Sequence, residues 1–397
     1  MMDDFSKMNI LFLMNLYQRA LKDSIDITAR YFNREYILFR YNPLTAFSGI
    51  IPFLPYRQFR KNVLMDLKNK PDNVSIIPIG LYYIPTDRQY KGLGDKFFRK
   101  AEKTVIEKKI PFDIIHAHFT WPQGFAGARF KEKTNLPFVV TAHGYDIYSL
   151  PFKDEEWKRK IEYVLNRADH IITVSRSNLA CIKKLDVTVP VTVIPNGFGK
   201  DLFTPRNATD CRVALGLPLD KKILLTVGNL ELVKGQKYLV EAVKKIVRER
   251  KDILCVIIGD GSEGRALEKM IRSFDLEQYI ILAGRKSHGE IPLWMNACDL
   301  FVLPSLNEGN PTVMFEAFGC GKPFIGTTVG GMPEVITSDR YGMLVKPGDT
   351  DELAEKILMA LDCEWNREEI LTYSEKFTWE NIVKQILGVY TKVSGGR

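Results

Sequence analysis

Residues 307–323 read NEGNPTVMFEAFGCGKP and combine a turn, a helix start and a helix stop in one short stretch. A strand-like run, Leu300–Leu303, comes directly before it. Pro311 suits the first turn of a helix, because the N–H that proline lacks would have no helical partner there. Gly319 and Gly321 then end the helix after about two or three turns. The order of strand, turn and helix predicts one βα unit of a parallel α/β sheet.

Two glutamates flank the predicted start of this helix. Glu308 falls on the loop and Glu316 inside the helix, and the N–H groups of Thr312 and Val313 between them lack helical partners. Free amides at the positive end of a helix dipole form an anion site that suits a diphosphate. A carboxylate on each side can hold sugar hydroxyls, so these residues indicate a nucleotide-sugar pocket. The alternative is a pair of ordinary glutamates that form ion pairs.

The same stretch resembles the E-x7-E element of the retaining glycosyltransferases of family four. That family has the GT-B fold, in which two Rossmann-like domains face a central cleft. Its first glutamate approaches the transferred sugar and its second binds the nucleotide ribose, and the resemblance gives these roles to Glu308 and Glu316. It also places the residues between them at the donor: Gly309, Asn310, Pro311, Thr312 and Val313.

Two further loops of the second half follow predicted strands, where ligands bind in open α/β sheets. The loop GNLELVKGQ begins at Gly228 and places Lys234 to reach a diphosphate, although a solvated lysine at a helix start is the alternative. The family usually has an arginine shortly after this strand, and Asn229 stands at that position here. In the loop GRKSHGE, the resemblance brings the backbone near Arg285 and Lys286 to the base of the donor.

Histidines end two predicted strands of the first half, in the passages FDIIHAHFTWPQG and VVTAHGYDI. His143 matches the family histidine close to the anomeric centre, so the resemblance makes it a catalytic candidate together with Glu308. His118 is a candidate for the acceptor side, with a core histidine as an equal alternative. His116 and His118 face the same way on a strand. No carboxylate or cysteine cluster accompanies them, so a metal site is not predicted.

The absence of several motifs limits the classes of reaction that the sequence predicts. No D-x-D motif carries a cation in the donor region, so Lys234 and the helix start must neutralise the diphosphate. We therefore expect a metal-independent transferase that needs no cofactor besides its donor substrate. The glycine turn GDGSEG, Gly259–Gly264, lies inside the second half and fits a tight strand-to-helix connection. No G-x-G-x-x-G string opens either half, which argues against a dinucleotide-dependent dehydrogenase. No pyridoxal-phosphate lysine site is recognisable, which argues against a phosphorylase of related fold.

Charge is distributed unevenly along the 397 residues, whose formal net charge is +8. Residues 1–200 hold 31 Lys and Arg against 20 Asp and Glu, whereas the remainder holds 25 against 28. A one-sided basic surface favours an anionic partner. No nucleic-acid-binding motif is present, which leaves a lipid surface or a phosphorylated substrate. The six cysteines are scattered and predict buried thiols rather than disulfides.

Short apolar strands alternate with amphipathic helices, which is typical of α/β domains. Strands are predicted at Ile10–Met14, Tyr36–Phe39, Val74–Pro78, Asp113–Ala117, Phe138–Thr141, Ile171–Val174, Val191–Ile194, Ile223–Val227, Leu254–Ile258, Ile280–Leu282, Leu300–Leu303 and Phe324–Gly326. A turn-rich link, Val191–Pro205, separates a first Rossmann-like domain at 1–198, the acceptor domain, from a nucleotide-sugar domain at 199–377. By resemblance, a final helix at about 378–392 crosses back to the first domain.

The first strand departs from the family pattern. Most members follow it with a glycine-pair loop that approaches the donor phosphates and the acceptor. Here Met14 runs through NLYQRALKD into a helix without any glycine. Either this loop has been replaced or the start of the chain is shortened, and both interpretations remain open at this point.

Two stretches of the first half suggest a membrane surface. Tyr41–Lys61 mixes aromatic residues with arginines, and Gly94–Lys109 predicts a basic amphipathic helix. The helix fits either the solvated face of a Rossmann-like domain or a membrane-surface helix. The acidic N-terminus lacks the pattern of a secretory signal, and no apolar run is long enough to span a bilayer. We expect a cytoplasmic protein that contacts the inner face of the membrane.

The residues and the resemblance together predict a retaining, metal-independent glycosyltransferase. It would move a sugar from a nucleoside-diphosphate sugar to a glycan, a glycolipid or a lipid-linked saccharide, in the synthesis of cell-surface polysaccharide or glycoconjugate. The alternative is a non-catalytic scaffold of the same fold that binds sugar nucleotides or a membrane surface. Asn229 and the missing glycine loop favour that alternative slightly.

Overall fold

The computed structural model describes residues 5–45 and 65–395. The chain divides into two compact units. The first unit comprises Met1–Pro195 together with Trp379–Arg397, and the second comprises Asn196–Thr378. Each unit consists of a parallel sheet with helices packed on it, so the predicted α/β class with two Rossmann-like domains is confirmed. The exact domain boundaries inferred from the sequence stay predictions.

The first unit is built on a seven-stranded parallel sheet in the order β3-β2-β1-β4-β5-β6-β7. The strands are Asn9–Met14 (β1), Arg34–Tyr41 (β2), Val74–Gly80 (β3), Ile114–His118 (β4), Phe138–Ala142 (β5), His170–Thr173 (β6) and Val191–Val193 (β7). Central strands of a parallel sheet are covered on both faces and therefore read as continuous apolar runs. The central strands were predicted for this reason, and the partly buried edge strands β3 and β7 were predicted as well.

The helices of the first unit follow the strands as crossover connections. They are Arg19–Thr28 (α1), Asp87–Lys91 (α2), Leu93–Glu107 (α3), Phe125–Thr134 (α4), Tyr145–Tyr148 (α5), Glu155–Arg167 (α6) and Arg176–Ile182 (α7). Asp154 caps α6 by accepting a hydrogen bond from the N–H of Trp157, and Ser175 caps α7 in the same way through Asn178. Such caps fix where a helix begins after its strand.

The second unit contains a six-stranded parallel sheet in the order β10-β9-β8-β11-β12-β13. The strands are Lys222–Val227 (β8), Ile253–Ile258 (β9), Ile280–Gly284 (β10), Leu300–Leu303 (β11), Phe324–Thr327 (β12) and Gly342–Val345 (β13). The helices are Ala208–Leu215 (α8), Gln236–Glu249 (α9), Gly264–Ser273 (α10), Ile291–Ala297 (α11), Thr312–Gly319 (α12), Met332–Val335 (α13), Thr350–Asp362 (α14) and Arg367–Ser374 (α15). The sequence missed β13, α8, α13 and α15, because each is short and has a weak apolar pattern.

The final helix, Trp379–Ser394 (α16), belongs to the first unit. Its apolar side, which includes Trp379 and Tyr390, packs into the hydrophobic cluster that contains Phe12 of β1 and Ile37 of β2. The free energy gained by burying this apolar side holds the helix on the first unit, although the helix lies far from the rest of that unit in the sequence. The return of the last helix to the first unit is therefore confirmed.

The basic helix predicted at Gly94–Lys109 corresponds to α3. Phe97, Phe98 and Ala101 are buried in the core of the first unit, so the apolar side of α3 is covered by protein. Its charged side faces solvent, together with the exposed Ile106 in its last turn. Most of the stretch Tyr41–Lys61 lies outside the described residues. Within the described part of the chain, no helix combines the length and the apolar character needed to cross a membrane.

A four-residue connection without glycine joins β1 to α1. Tyr17 in this connection is fully buried, and its hydroxyl donates a hydrogen bond to Asp26 of α1. Its backbone also pairs with Met65 as an isolated bridge. A buried tyrosine thus fixes the connection between β1 and α1.

Candidate functional site

In the second unit, the loop from β11 to α12 carries Glu308, and α12 itself carries Glu316. The helix begins at Thr312, and Pro311 is the capping residue with an extended backbone, rather than a residue of the first turn as the sequence suggested. The helix stops at Gly319, and Gly321 adopts a left-handed φ of 68°. The N–H groups of Thr312 and Val313 lie in the first turn, where no helical acceptor exists.

Glu308 forms the centre of this loop. Its side chain is nearly buried, and its Oε1 accepts hydrogen bonds from Lys234 Nζ at 2.7 Å and from Ser305 Oγ at 2.7 Å. The carbonyl of Ser305 in turn accepts a hydrogen bond from Thr327 Oγ1 of β12 at 2.6 Å. The structure thus brings Lys234 and Glu308 together as an ion pair, which the sequence did not foresee.

Close backbone approaches hold the two loops of this pair in place. Gly235 follows Lys234 with a φ of 65°, and a Cβ there would lie 2.1 Å from the carbonyl oxygen of Pro304. A Cβ at Gly330, which has a φ of 56°, would lie 2.1 Å from the carbonyl oxygen of Glu308. Only glycine fits both positions, so the backbone itself sets the distance between Lys234 and Glu308.

Asn310 is buried and contacts the start of the second unit. Its Oδ1 accepts a hydrogen bond from the N–H of Asn196 at 2.9 Å, and its carbonyl accepts one from Asn196 Nδ2 at 2.6 Å. The neighbouring Gly309 accepts a hydrogen bond from the N–H of Gly331 at 2.8 Å. These bonds make the segment before α12 a rigid support for the helix start.

Glu316 is buried inside α12, and only about a twentieth of it is exposed. It follows Thr312 by four residues and Val313 by three, so all three share one side of the helix. Side chains on a helix lean toward its N-terminus, which carries the Glu316 carboxylate toward the first turn. The two glutamates therefore flank the helix start, as the sequence suggested.

The remaining donor candidates lie at the ends of β8 and β10. Gly228 donates its N–H to Ile258, and the carbonyl of Asn229 accepts a hydrogen bond from Gln236 Nε2 at 3.0 Å. Arg285 is exposed, 3.9 Å from Asp260, and Lys286 lies over the ring of Trp294. In the described chain, no side-chain hydrogen bond or ion pair joins these residues to Lys234 or Glu308.

In the first unit, three histidines stack at the carboxyl edge of the sheet. The rings of His116 and His118 are 4.5 Å apart, and those of His118 and His143 are 5.3 Å apart. His116 is held by Tyr390 of α16 at 2.6 Å and by Thr141 of β5 at 2.8 Å, so it is a core residue. Nδ1 of His118 and Nε2 of His143 lie 3.1 Å apart, at hydrogen-bond distance.

Burial governs the charge of this stack. It lowers the pKa of His116 to about 3 and that of His143 to about 4, and it holds the pKa of His118 well below its usual range. All three rings are therefore neutral near pH 7. No cluster of histidine, cysteine or carboxylate residues that could hold a metal ion occurs in residues 5–45 and 65–395.

Asp146 organises the loops that carry these histidines, and the sequence analysis missed it. Its carboxylate is buried and accepts hydrogen bonds from three backbone N–H groups: those of Thr120 at 2.8 Å, His143 at 3.1 Å and Gly144 at 2.9 Å. Thr120 Oγ1 also donates to the carbonyl of Asp146 at 3.0 Å. An acid three residues after a strand-end histidine is a pattern that can form such a turn, and it was the available signal.

Comparison with known proteins identifies the family. The model described as "Glycosyl transferases group 1" matches residues 208–377, and the one described as "Glycosyltransferase Family 4" matches residues 61–201. An uncharacterized glycosyltransferase of Methanocaldococcus jannaschii is 30% identical over 322 residues, which cover 79% of this chain and 85% of that protein. The chain belongs to glycosyltransferase family four.

Solved structures show that this glycosyltransferase has the GT-B fold. Sucrose-phosphate synthase from Thermosynechococcus elongatus superposes with a TM-score of 0.78 at 21% identity, covering 98% of this chain and 100% of that one. Anabaena HepE in complex with UDP-glucose superposes with a TM-score of 0.73 at 22% identity, covering 97% and 100%. At these identities, the similarity establishes the fold alone.

The neutral histidine stack predicts that the glycosyltransferase loses stability in mild acid. A histidine whose pKa is lowered in the folded state takes up a proton first in the unfolded state, so unfolding is favoured as the pH falls below about 6.5. We expect a loss of about 1.4 kcal/mol per pH unit for each such histidine. Urea unfolding between pH 7.5 and 5 measures this slope. His116→Gln should make it shallower, and equal slopes for variant and wild type would contradict the prediction.

Proposed function

We propose that this glycosyltransferase moves a sugar from a nucleoside-diphosphate sugar to an acceptor with retention of configuration and without a metal ion. The observation that carries the proposal is the ion pair of Lys234 and Glu308 in the second unit, whose loops meet at the same sheet edge as the start of α12. A cation, free amides and a carboxylate together match the charges of a diphosphate and the hydroxyls of a sugar.

The proposed contacts to the donor use polar atoms of this loop and helix start that can still form hydrogen bonds. Oε1 of Glu308 takes both hydrogen bonds of the loop, while Oε2 forms none within the described chain and can accept a sugar hydroxyl. The ammonium of Lys234 and the N–H groups of Thr312 and Val313 would neutralise the diphosphate as it leaves. Glu316 would accept the ribose hydroxyls from inside the same helix.

Retention is supported by the chemistry of His143. Burial lowers the pKa of His143 to about 4, and a base that weak is poorly matched to deprotonating a hydroxyl near pH 7. We propose that the leaving diphosphate takes the proton instead. The bond from the anomeric carbon to the phosphate oxygen breaks, the acceptor oxygen bonds to the same face of that carbon, and the acceptor proton moves to the phosphate. His143 would then orient the sugar through a neutral ring.

We infer that the first unit receives the acceptor, near His118 and His143. Suitable acceptors are a glycan, a glycolipid or a lipid-linked saccharide, in the synthesis of cell-surface polysaccharide or glycoconjugate. The exposed charged side of α3 supports contact of a cytoplasmic enzyme with an anionic membrane surface, although its buried apolar side cannot insert into lipid. Anabaena HepE was crystallised with UDP-glucose, so we take UDP-sugars as the first donors to test.

A thermal-shift screen tests the donor site. UDP, GDP, ADP and their glucose conjugates are each added to wild type, Glu316→Ala and Glu277→Ala, with and without EDTA. At one hundred times its Kd a ligand stabilises the folded protein by about 2.7 kcal/mol. We expect one base to raise the melting temperature of wild type and of the exposed control Glu277→Ala, but not of Glu316→Ala, and EDTA to change nothing.

The outcomes separate the proposals. No shift with any nucleotide at millimolar concentration would contradict the donor site. A shift without transfer or slow hydrolysis of the sugar nucleotide would favour a sugar-nucleotide-binding scaffold. A shift that EDTA abolishes would contradict the metal-independent mechanism.

A further inference from the structure

Arg40 of the first unit is buried, and no counter-charge pairs with it in the part of the chain that the structure describes. Arg40 is the seventh residue of β2, next to its carboxyl end, and only 9% of it is exposed. Its NH1 donates a hydrogen bond to the hydroxyl of Tyr83 at 2.8 Å, and its guanidinium lies 5.6 Å from the centre of the Tyr83 ring. No ion pair involves Arg40 in the described chain, and its buried Nε has no hydrogen-bond partner.

An unpaired buried guanidinium is costly for a folded protein. Arginine carries five N–H donors in a planar fork and keeps its positive charge in proteins. Buried charges in proteins are normally paired, since the loss of hydration is otherwise uncompensated. Within residues 5–45 and 65–395, Arg40 donates one side-chain hydrogen bond and has no ion-pair partner, which points to an anion that is supplied from outside the chain.

The surrounding chain holds this guanidinium in a fixed position. Asn42 Nδ2 donates a hydrogen bond to the carbonyl of Tyr83 at 2.7 Å, and the N–H of Leu81 donates to the carbonyl of Tyr41 at 2.9 Å. These bonds tie the segment after β3 to the end of β2. Arg40 is therefore preorganised, and binding an anion there would cost little further ordering.

The neighbours of Arg40 do not neutralise it. Burial raises the pKa of Tyr90 to about 12, whereas the positive charge of Arg40 lowers that pKa. The Tyr90 hydroxyl is therefore close enough to Arg40 to be influenced by its charge. Asp146 also acts on Tyr90, but three backbone N–H groups already occupy its carboxylate. Half-exposed Tyr145 is a further neighbour of Tyr90. The surroundings thus offer hydroxyl donors and aromatic surface in addition to the arginine.

We propose that Arg40 binds an oxyanion, a phosphate or a carboxylate, that the acceptor substrate carries. This inference rests on the proposed function in one respect, the assignment of the acceptor to the first unit. The carboxyl ends of parallel strands meet at one edge of the sheet, where His118 and His143 also lie. An arginine fork matches two oxygens of a carboxylate or phosphate. The acceptor of this transferase is therefore anionic.

Three probes with one ring and different head groups test the proposal: phenyl phosphate, benzoate and benzyl alcohol. Each is added at millimolar concentration in a thermal-shift assay with saturating UDP, so that phosphate cannot register at the donor site. We expect phenyl phosphate or benzoate to raise the melting temperature, with the larger shift identifying the charged group, and benzyl alcohol to have no effect. Arg40→Met should abolish the shift, and Arg40→Lys should weaken binding on the order of tenfold, because it keeps the charge and loses the fork.

The matched control is Arg99→Met, which removes an exposed arginine of α3 and should leave the shift unchanged. Without ligand, Arg40→Met should melt at the wild-type temperature or above it, since removing an uncompensated buried charge relieves the fold. A clear fall in that temperature would mean that Arg40 is structural and would overturn the proposal. Equal shifts with all three probes, or a shift retained in Arg40→Met, would overturn it as well. If UDP alone does not raise the melting temperature, that result contradicts the proposed donor site. The three probes are then compared in the absence of UDP, which still tests Arg40.

Discussion

We expect Lys234→Met to lower the rate of sugar transfer by about 10²–10³-fold. Its ammonium is the cation that the second unit holds beside Glu308, and we assign it to the charge that develops on the leaving diphosphate. Removing one preorganised donor of this kind typically costs about 3–4 kcal/mol of transition-state stabilisation. Steady-state kinetics with a UDP-sugar donor measure the loss, which should appear in kcat as well as in the donor KM.

The same substitution also destabilises the second unit, for a separate reason. Glu308 would keep its nearly buried carboxylate but lose its counter-charge. Breaking a fully buried pair costs about 3–5 kcal/mol. Since about a quarter of the Lys234 side chain is exposed to solvent, we expect a smaller loss of about 1–2 kcal/mol.

The double variant Lys234→Met with Glu308→Gln separates the two effects. It removes both charges, so its stability should return toward that of wild type while transfer stays lost. Lys237→Met is the matched control, because that lysine lies in the next helix with its ammonium over the Tyr238 ring and should have little influence on either quantity. Full activity in Lys234→Met would contradict the assigned role, and an unstable double variant would contradict the electrostatic explanation.

Local patterns were sufficient to predict most of the fold. The apolar run Leu300–Leu303, followed by a proline and glycines, predicts a strand, a loop and a helix. The structure contains all three, as β11, the loop after it and α12. The order of strands in each sheet could not be predicted in the same way, because it depends on contacts between residues far apart in the chain. The strand Gly342–Val345 was missed, since four residues give too little pattern to distinguish it from a loop.

Site residues were recognisable individually, but their pairing was not. Lys234 and Glu308 are separated by 74 positions, and only folding shows that they form an ion pair. The sequence suggested separate roles for His118 and His143, whereas the structure places both in one stack of neutral rings with His116. The sequence did not predict that Arg40 is buried, because an arginine near a strand end usually reaches solvent. The burial of Arg40 depends on the segment that carries Tyr83, which is distant in the sequence.

We expect Asp146→Asn to lower kcat by about 10²-fold and to leave the Kd for UDP unchanged. The carboxylate accepts the N–H groups of Thr120, His143 and Gly144, and it thereby holds the His143 loop against the end of β4. The amide of asparagine can keep two of these bonds through its oxygen, but it presents an NH₂ group to the third N–H. One buried donor then lacks an acceptor, and the loop shifts. A misplacement of about 1 Å at a reacting centre costs on the order of 10² in rate.

Lost stability has to be distinguished from lost positioning of His143. An unsatisfied buried donor costs about 1–3 kcal/mol, so Asp146→Asn should also unfold at lower denaturant concentration. Asp169 is the matched control, because its carboxylate accepts the N–H of Phe138 at 2.7 Å at the opposite, amino end of β5. Asp169→Asn should lose stability too but keep its kcat, when both are assayed well below their melting temperatures. If the two variants lose activity in proportion to stability, Asp146 supports the fold and has no separate role in positioning His143.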